Sequence, residues 1–241
     1  MAIIKFYPFN EGTRSFAPEP KPASKSLPEW YKRQPASIGD DKEFMPKGGV
    51  NSTIKRCMPV FDLLTAGYII EFPMDLYIDA TDPNKISWNV PNPLKNFGSD
   101  MVATHTAEQV SEYPINKDQY HKDVFRILPF WSVGTEPGYS TLFCHPFHRD
   151  DMPFHAFSAI IDTDGFISDG HLSMFIKKGF KGLIKQGTPL VQVIPFKRES
   201  WDSEIVDVSE SNKALKDQRL ATRSMFKFAY KEKFRSRKEY K

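Results

Sequence analysis

The chain contains 241 residues, of which 40% are hydrophobic and 26% are charged, and its formal net charge is +3. Such a composition is ordinary for a soluble globular protein, and a chain of this length can bury a full core without disulfide bonds. Two cysteines are too few for a disulfide scaffold, and no apolar run is long enough to cross a membrane or to form a signal peptide. We therefore expect a cytoplasmic protein that is not secreted and has no membrane partner.

The N-terminal part, residues 1–49, is predicted to form a strand, an arm and a short helix. An apolar run over 2–9 favours a strand, and the Pro-, Ser- and Lys-rich residues 10–25 indicate an arm. Ser26-Leu27-Pro28-Glu29 combines a capping box with a proline in the first turn, which predicts a helix over 27–34.

The sequence between residues 50 and 122 mixes one helix with short strands. Apolar residues at helical spacing, followed by a glycine, predict a buried helix over 59–67. Thr106-Ala107-Glu108-Gln109 predicts a single helical turn. The predicted strands of this part are 68–72, 74–80 and 86–90.

From residue 123 to residue 197 the pattern becomes regularly β. The 19 prolines and the 14% of aromatic residues also favour a loop-rich β protein over a helical bundle. Short strands at this spacing predict a sandwich or a barrel, and we assign 50–197 to one β-sandwich domain. The predicted strands are 124–133, with a bend at Pro129, then 139–144, 156–162, 171–176, 180–184 and 189–196.

Residues 198–241 are predicted to form a basic C-terminal helix and tail, with the helix over 209–235. Residues 213–241 carry 11 lysines and arginines against three acidic residues, a surplus of +8, which leaves −5 for the rest of the chain. Aromatic residues are interleaved with these cations. Either the rings pack on the sandwich or a neighbouring subunit, or the tail 213–241 binds nucleic acid through phosphates and stacking.

Four short segments, in chain order, resemble motifs of the trimeric dUTPases. Ala66-Gly67-Tyr68 is similar to the start of their first motif, and Glu136-Pro137-Gly138-Tyr139 to the turn before their phosphate-binding segment. Ile161-Asp162-Thr163-Asp164 resembles the segment whose first aspartate activates water, and the stretch from Gly187 to Gln192 resembles a late strand. The resemblance implies the β-clip fold shared with dCTP deaminases, and a nucleotide-binding or nucleotide-hydrolysing site at Asp162 that uses Mg²⁺.

The chain departs from the dUTPase pattern at the groups that handle the nucleotide. Ile69 stands where that family has an aspartate, Phe143-Cys144-His145-Pro146 replaces the phosphate-binding run, and Gly165 replaces the base-stacking tyrosine. Without those groups a triphosphate with Mg²⁺ has few partners, and Asp162 alone cannot position water. The resemblance therefore supports the fold more than the activity.

A second resemblance is broader. It implies no known reaction, but it predicts a phage-type protein in the host cytoplasm or the virion, which assembles as a homo-oligomer or with other phage-type subunits. The segments that are similar to an uncharacterised domain family of bacteria and tailed phages are Arg56-Cys57-Met58-Pro59, Ala66-Gly67-Tyr68, Pro137-Gly138-Tyr139, Asp162-Thr163-Asp164 and Gly187-Thr188-Pro189.

Asp162 and Asp164 are candidate ligand-binding residues on chemical grounds as well, with Asp162 also a candidate catalytic base. Two carboxylates at the end of an apolar strand can accept a proton or hold a cation. The sequence Asp-Thr-Asp-Gly is also a common way to leave a strand, through side-chain bonds to backbone N–H groups. The sequence leaves both interpretations open.

A metal site is a further alternative. His121-x-Asp123 followed by His171, with Lys181 ten residues later, resembles the Fe(II)/2-oxoglutarate oxygenases and their double-stranded β-helix. The resemblance implies that the two histidines and the carboxylate bind one face of Fe(II), while the lysine pairs with 2-oxoglutarate. Three further histidines lie nearby, at His145, His148 and His155. Their spacing does not match a metal site, and we favour none.

The sequence as a whole predicts an all-β fold, a β-sandwich of β-clip or jelly-roll type with short helices and a C-terminal helix. Because fold does not imply function, the function must come from a site. We expect a non-catalytic phage-type structural or ligand-binding protein with no favoured cofactor. The alternatives are an Fe(II)/2-oxoglutarate oxygenase and a nucleotide-handling relative of dUTPase.

Overall fold

The computed structural model describes residues 2–38, 52–90, 101–170, 172–223 and 230–241. These ranges contain the α-helices α1 (Thr13–Phe16), α2 (Glu29–Arg33), α3 (Met58–Leu64) and α4 (Val208–Arg223). Short 3-10 turns lie at Ala23–Ser26, Ile54–Arg56 and Ala107–Val110, and a π-helical turn at Tyr230–Phe234. The strands are β1 (Ile4–Pro8), β2 (Lys21–Pro22), β3 (Tyr68–Glu71), β4 (Leu76–Asp79), β5 (Ser87–Asn89), β6 (Val102–His105), β7 (Tyr120–Ile127), β8 (Trp131–Thr135), β9 (Tyr139–Cys144), β10 (Phe154–Ala156), β11 (Ala159–Ile161), β12 (Ser173–Lys177), β13 (Lys181–Ile184) and β14 (Pro189–Lys197).

The strands of the described ranges pair antiparallel and form four sheets. The largest sheet has the order β11-β9-β14-β3-β2, and the second has the order β10-β12-β7-β6. Two smaller sheets have the orders β13-β4-β5 and β1-β8. The predicted all-β fold with short helices and a C-terminal helix is confirmed. Its finer assignment to a β-clip or a jelly roll stays a prediction.

The chain divides into two compact units. The first consists of Met1–Lys32, Leu64–Arg198 and Tyr240–Lys241, and it contains all the strands named above. The second consists of Arg33–Leu63 and Glu199–Glu239 and contains α4. The sequence-based division at residues 49 and 197 stays a prediction. No helix within the described ranges is both long and apolar enough to cross a membrane.

One hydrophobic core in the first unit receives side chains from both large sheets. Successive side chains of a strand point to opposite faces, and the core takes Val191 and Val193 from β14 and Met174 and Ile176 from β12. Phe175, between the last two, therefore points to the outer face of the four-stranded sheet. Each large sheet has an inner face fixed by the core and an outer face that can carry function.

Two of the predicted strands are wrong in their extent, because each is split between two sheets. The strand predicted at 124–133 ends at Ile127 and a new strand starts at Trp131, with Phe130 between them at a φ of 66°. Pro129 lacks the N–H that a continuous ladder would need. The strand predicted at 156–162 is β10 and β11, which pair with β12 and β9 respectively.

The second unit is held by an ion pair between helix α3 and the tail. Arg235 donates to Asp62 from Nη2 at 2.6 Å and from Nε at 3.0 and 3.1 Å, and both side chains are only 12% exposed. The hydrogen bond from Arg235 lowers the pKa of the Asp62 carboxyl, and Lys238 lies 3.4 Å from it. Part of the tail's positive charge is therefore neutralised inside this unit.

The predicted helix over 209–235 is confirmed as α4 as far as Arg223, and residues 224–229 lie outside the described ranges. Of the tail aromatic residues predicted to pack, Phe226 and Phe228 lie outside the described ranges and Tyr230 and Phe234 are 45% and 42% exposed, so their packing stays a prediction. Nucleic acid binding by the tail stays a prediction.

Candidate functional site

The predicted acidic pair lies at the end of β11, and its first member is placed by strand register. Ile161 pairs with Thr141 on β9, so Asp162 comes next, opposite Ser140. The Ser140 hydroxyl donates a 2.6 Å hydrogen bond to Asp162. The Asp162 carbonyl accepts from the N–H groups of Gly165 and Phe166, which turns the chain away from the sheet. The Asp162 side chain is 69% exposed.

Asp164 is bound on both of its carboxylate oxygens. Arg198, the residue that follows β14, donates from Nη1 to Oδ1 at 2.8 Å and from Nη2 to Oδ2 at 2.5 Å. The Gly138 N–H donates to Oδ2 at 2.8 Å. Arg198, with a smaller contribution from Gly138, holds the pKa of Asp164 well below its usual range, and Asp164 in return raises the pKa of Arg198. Asp164 therefore ties the predicted turn at Gly138, whose φ is 87°, to the end of β14.

Thr163 lies between the two aspartates. Its side chain is buried, and its hydroxyl lies 2.8 Å from the hydroxyls of both Thr135 and Thr141. We call the group Ser140, Asp162, Thr163, Asp164 and Arg198 the acidic corner. The partners of its carboxylates include Ser140, Gly138 and Arg198, which are distant along the chain, so the turn interpretation, with its local bonds to backbone N–H groups, stays a prediction. Ligand binding or catalysis by Asp162 and Asp164 stays a prediction.

The residues of the predicted iron site are only partly described, since His171 lies outside the described ranges. His121 is buried in β7, where its Nδ1 accepts from the Asp123 N–H at 3.1 Å and its Nε2 lies 3.1 Å from the Asp82 carbonyl oxygen. Both ring nitrogens of His121 are thus used by the backbone, which does not fit a metal ligand. Lys181, expected beside 2-oxoglutarate, pairs with Asp79 at 2.7 Å. We derive no step through iron, and the triad stays a prediction.

Two of the other histidines form a stacked pair instead of a metal site. The rings of His145 and His155 lie 4.5 Å apart at an angle of 28°. Nδ1 of His145 accepts from the Ala156 N–H at 3.2 Å, and Nε2 lies 3.3 Å from the Arg149 carbonyl oxygen. Burial, and then the neighbouring His155, lower the pKa of His145 to about 4. No group of three or more His, Cys, Asp or Glu residues within the described ranges is arranged to hold a metal.

The outer face of the four-stranded sheet carries a row of rings. Cross-strand pairing aligns His155 on β10, Phe175 on β12, Val124 on β7 and His105 on β6. Directly paired residues share a face of the sheet. Phe175 is almost fully buried although it points away from the core, so other groups must cover it.

The cover comes from Tyr113 in the segment that follows β6, from Phe157 directly after β10, and from Tyr120 at the start of β7. Tyr113 stacks on Phe157 with ring centres 4.6 Å apart, and Phe157 lies 4.7 Å from Phe175. Tyr120 continues the row between Phe175 and His155, at 6.3 and 6.2 Å. Burial raises the pKa of the Tyr120 phenol, which is therefore neutral at neutral pH.

Beside this aromatic row lies a cavity of about 480 Å³, which we call the sheet pocket. Tyr120 supplies a half-buried ring and the buried Phe175 lies in its wall, and the volume is within the range of small-molecule sites. Its charged side chains are Glu108, Glu112, Lys117, Lys122 and Lys178, and its other lining residues are Ala107, Val110, Ser111, Ile115 and His121.

The charged groups of the sheet pocket keep capacity for a ligand. Lys117 donates one bond from Nζ to the Ser111 carbonyl at 2.6 Å, and Lys122 donates one to the Asn84 side chain at 3.0 Å. An ammonium group has three donors, so each lysine can donate further hydrogen bonds. The Glu108 pKa is lowered, chiefly by a hydrogen bond from Thr106, so this carboxylate is ionised.

No family model matches this chain, and no curated protein matches it.

The sheet pocket has no motif in the sequence. Lys117 and Lys122 lie in a polar run, and Lys178, which follows β12, joins them through the pairing of β7 with β12. One sequence signal was available: Phe175 alternates with Met174 and Ile176, so a large aromatic ring had to occupy the face opposite the core.

Outside the sheet pocket, the buried cysteine Cys144 is a candidate reactive group. Burial raises the pKa of the Cys144 thiol to about 11, and its sulfur lies 3.6 Å from the Gln192 carbonyl oxygen. Cys144 is thus a buried thiol of low reactivity. The described arrangement offers a pocket whose lining contains aromatic and charged side chains.

Proposed function

We propose that the chain is a non-catalytic ligand-binding β-sandwich protein and that its site is the sheet pocket. The observation that carries the proposal is the combination of a cavity of about 480 Å³ with the half-buried ring of Tyr120 and three lysines. Ligand sites are typically concave and mainly apolar, with a few charged groups that orient the ligand. The acidic corner differs, because its carboxylates and its arginine bind each other.

The lining of the sheet pocket favours a planar ligand with a single anionic group. Aromatic rings bind flat apolar surfaces through stacked or edge-to-face contacts. Three lysines against two glutamates leave one positive charge in surplus. An anionic group can reach an ammonium, while a ligand of higher negative charge would also be repelled by Glu108 and Glu112.

Isothermal titration calorimetry with 2-naphthoate and with naphthalen-2-ylmethylammonium tests the proposal. The two probes share a ring system and differ in the sign of their charge. We expect 2-naphthoate to bind one site per chain at least about tenfold more tightly than the cation, a difference of about 1.4 kcal/mol. Equal affinities, or binding of neither probe at millimolar concentration, would overturn the proposal.

Two variants locate the binding. Lys178→Glu should weaken 2-naphthoate binding by up to about tenfold, because a rim attraction becomes a repulsion. Ala107→Trp should remove binding by filling the cavity. Lys5→Glu on β1 is the matched control, since it makes the same charge change at an exposed position that does not line the sheet pocket. A loss of affinity in the control equal to that of Lys178→Glu would point to a nonspecific charge effect.

The wider hypothesis of a phage-type structural or binding protein stays a prediction from the sequence. Neither alternative, the oxygenase or the dUTPase relative, gains support from a described contact. Binding of 2-naphthoate would not distinguish a phage origin from any other.

A further inference from the structure

Strand β11 forms one edge of the five-stranded sheet. It pairs with β9 through Ala159–Phe143, Ile160–Leu142 and Ile161–Thr141. Within the described ranges no strand pairs with its other side. An edge strand presents backbone N–H and C=O groups that can pair with another chain.

This edge lacks the features that normally protect an edge. Residues 157–161 contain no charged residue and no proline, whereas natural edges are usually blunted by lysine, proline or an inward-pointing charge. Ile160, in the middle of β11, is 64% exposed. Phe166 and Ile167, which follow the turn, are also exposed, at 61% and 52%.

We propose that β11 pairs antiparallel with β11 of a second copy of this chain, about a two-fold axis at Ile160. The inference goes beyond the proposed ligand binding and does not depend on it. Identical strands that pair antiparallel about a two-fold axis form a closed, isologous interface. Ile160 then faces Ile160 of the second copy, and Ala159 faces Ile161.

Charge selects this register. Asp162 is the ionisable residue nearest to the edge, and in the proposed register it lies opposite Ser158 of the second copy, whose hydroxyl can donate to it. The two Asp162 residues are offset by four positions, or about 13 Å along the strand. That separation exceeds the Debye length of about 8 Å at physiological salt, so their repulsion is screened. Arg198, 3.3 Å from Asp162, offsets the charge further.

Sedimentation of the full chain at micromolar concentrations, with Ile160→Lys and Ile205→Lys, tests the proposal. We expect a dimer for the native chain. Ile160→Lys should raise the dimer dissociation constant at least about 100-fold, because two ammonium groups would meet on the axis. Ile205→Lys is the matched control, since Ile205 is 100% exposed and lies outside β11. It should leave the dimer intact.

A cysteine variant tests the axis itself. Paired residues of antiparallel strands have Cα atoms about 4.5–5.5 Å apart, within reach of a disulfide. In a Cys57→Ala background, Ile160→Cys should form an intersubunit disulfide on mild oxidation, and Ile205→Cys should not. A monomer at all concentrations, a dimer that survives Ile160→Lys, or assemblies larger than a dimer would each overturn the proposal. Monomeric Ile160→Lys should still bind 2-naphthoate, so failure of one proposal is distinguishable from failure of the other.

Discussion

The acidic corner and the sheet pocket are both rich in charge, yet they use it in opposite ways. In the acidic corner Arg198 donates two hydrogen bonds to the Asp164 carboxylate, and the N–H of Gly138 donates a third to it. In the sheet pocket three lysines and two glutamates surround a cavity next to two aromatic rings. In the acidic corner the charged groups bind one another and hold a turn in place. The sheet pocket leaves donors that a ligand can use.

The difference teaches that a conspicuous motif and a binding site need not coincide. Asp-Thr-Asp-Gly stands out in the sequence because its carboxylates are close together along the chain. In the folded chain, however, these carboxylates bind Ser140, Gly138 and Arg198, which come from distant parts of the sequence. Most residues of the sheet pocket lie within 107–122, and only Phe175 and Lys178 come from a distant part of the chain. Their meeting with the other residues depends on sheet pairing.

The largest expected effect concerns the histidine pair that adjoins the aromatic row. The pKa of His145 is lowered from 6.5 to about 4 in the folded protein, so the unfolded chain binds more protons between these values. The contribution of His145 to the free energy of unfolding should therefore be fully present above pH 6.5. It should be lost as the pH drops toward 4, by up to about 1.4 kcal/mol per pH unit for one proton. Urea unfolding at pH 7, 5.5 and 4.5 measures it. His145→Gln should flatten this dependence, and an unchanged slope would contradict the assignment.

The second largest effect is expected for Thr163 in the acidic corner. Thr163→Val keeps the shape of a buried side chain and removes a hydroxyl that contacts Thr135 and Thr141. We expect a loss of about 1–3 kcal/mol in the free energy of unfolding, with 2-naphthoate affinity unchanged. Thr104→Val, at an exposed position of β6, is the control and should cost less than about 0.5 kcal/mol. A change in probe affinity would break the separation between the two regions.

The smallest effect is expected for Asp162. Asp162→Asn changes a largely exposed side chain and keeps an oxygen for the Ser140 hydroxyl, so unfolding should change by less than about 0.5 kcal/mol. Asp164→Asn should lower stability clearly more, because it loses the charge that faces Arg198. Thermal unfolding of both variants side by side measures the contrast. If Asp162→Asn is the more damaging, the turn interpretation is wrong.

Much of the fold follows from local patterns. The turn at Pro137-Gly138 and most strands between 68 and 197 were predictable, because alternation of apolar residues and turn residues are properties of short segments. The helices α2 and α3 were predictable for the same reason. The breaks at Pro129 and between Ala156 and Ala159 were harder, since a single apolar run can change sheets without changing its pattern.

The sequence by itself determined the fold class and the turn that carries Asp162 and Asp164, because hydrophobic periodicity and turn chemistry act over a few residues. Only the tertiary structure decided that Arg198 meets Asp164, since that contact depends on β14 pairing with the start of β9. The sheet pocket was likewise decided by the pairing of β7 with β12. Strand register is a long-range property, set by the whole core, and the spacing of residues along the chain does not encode it.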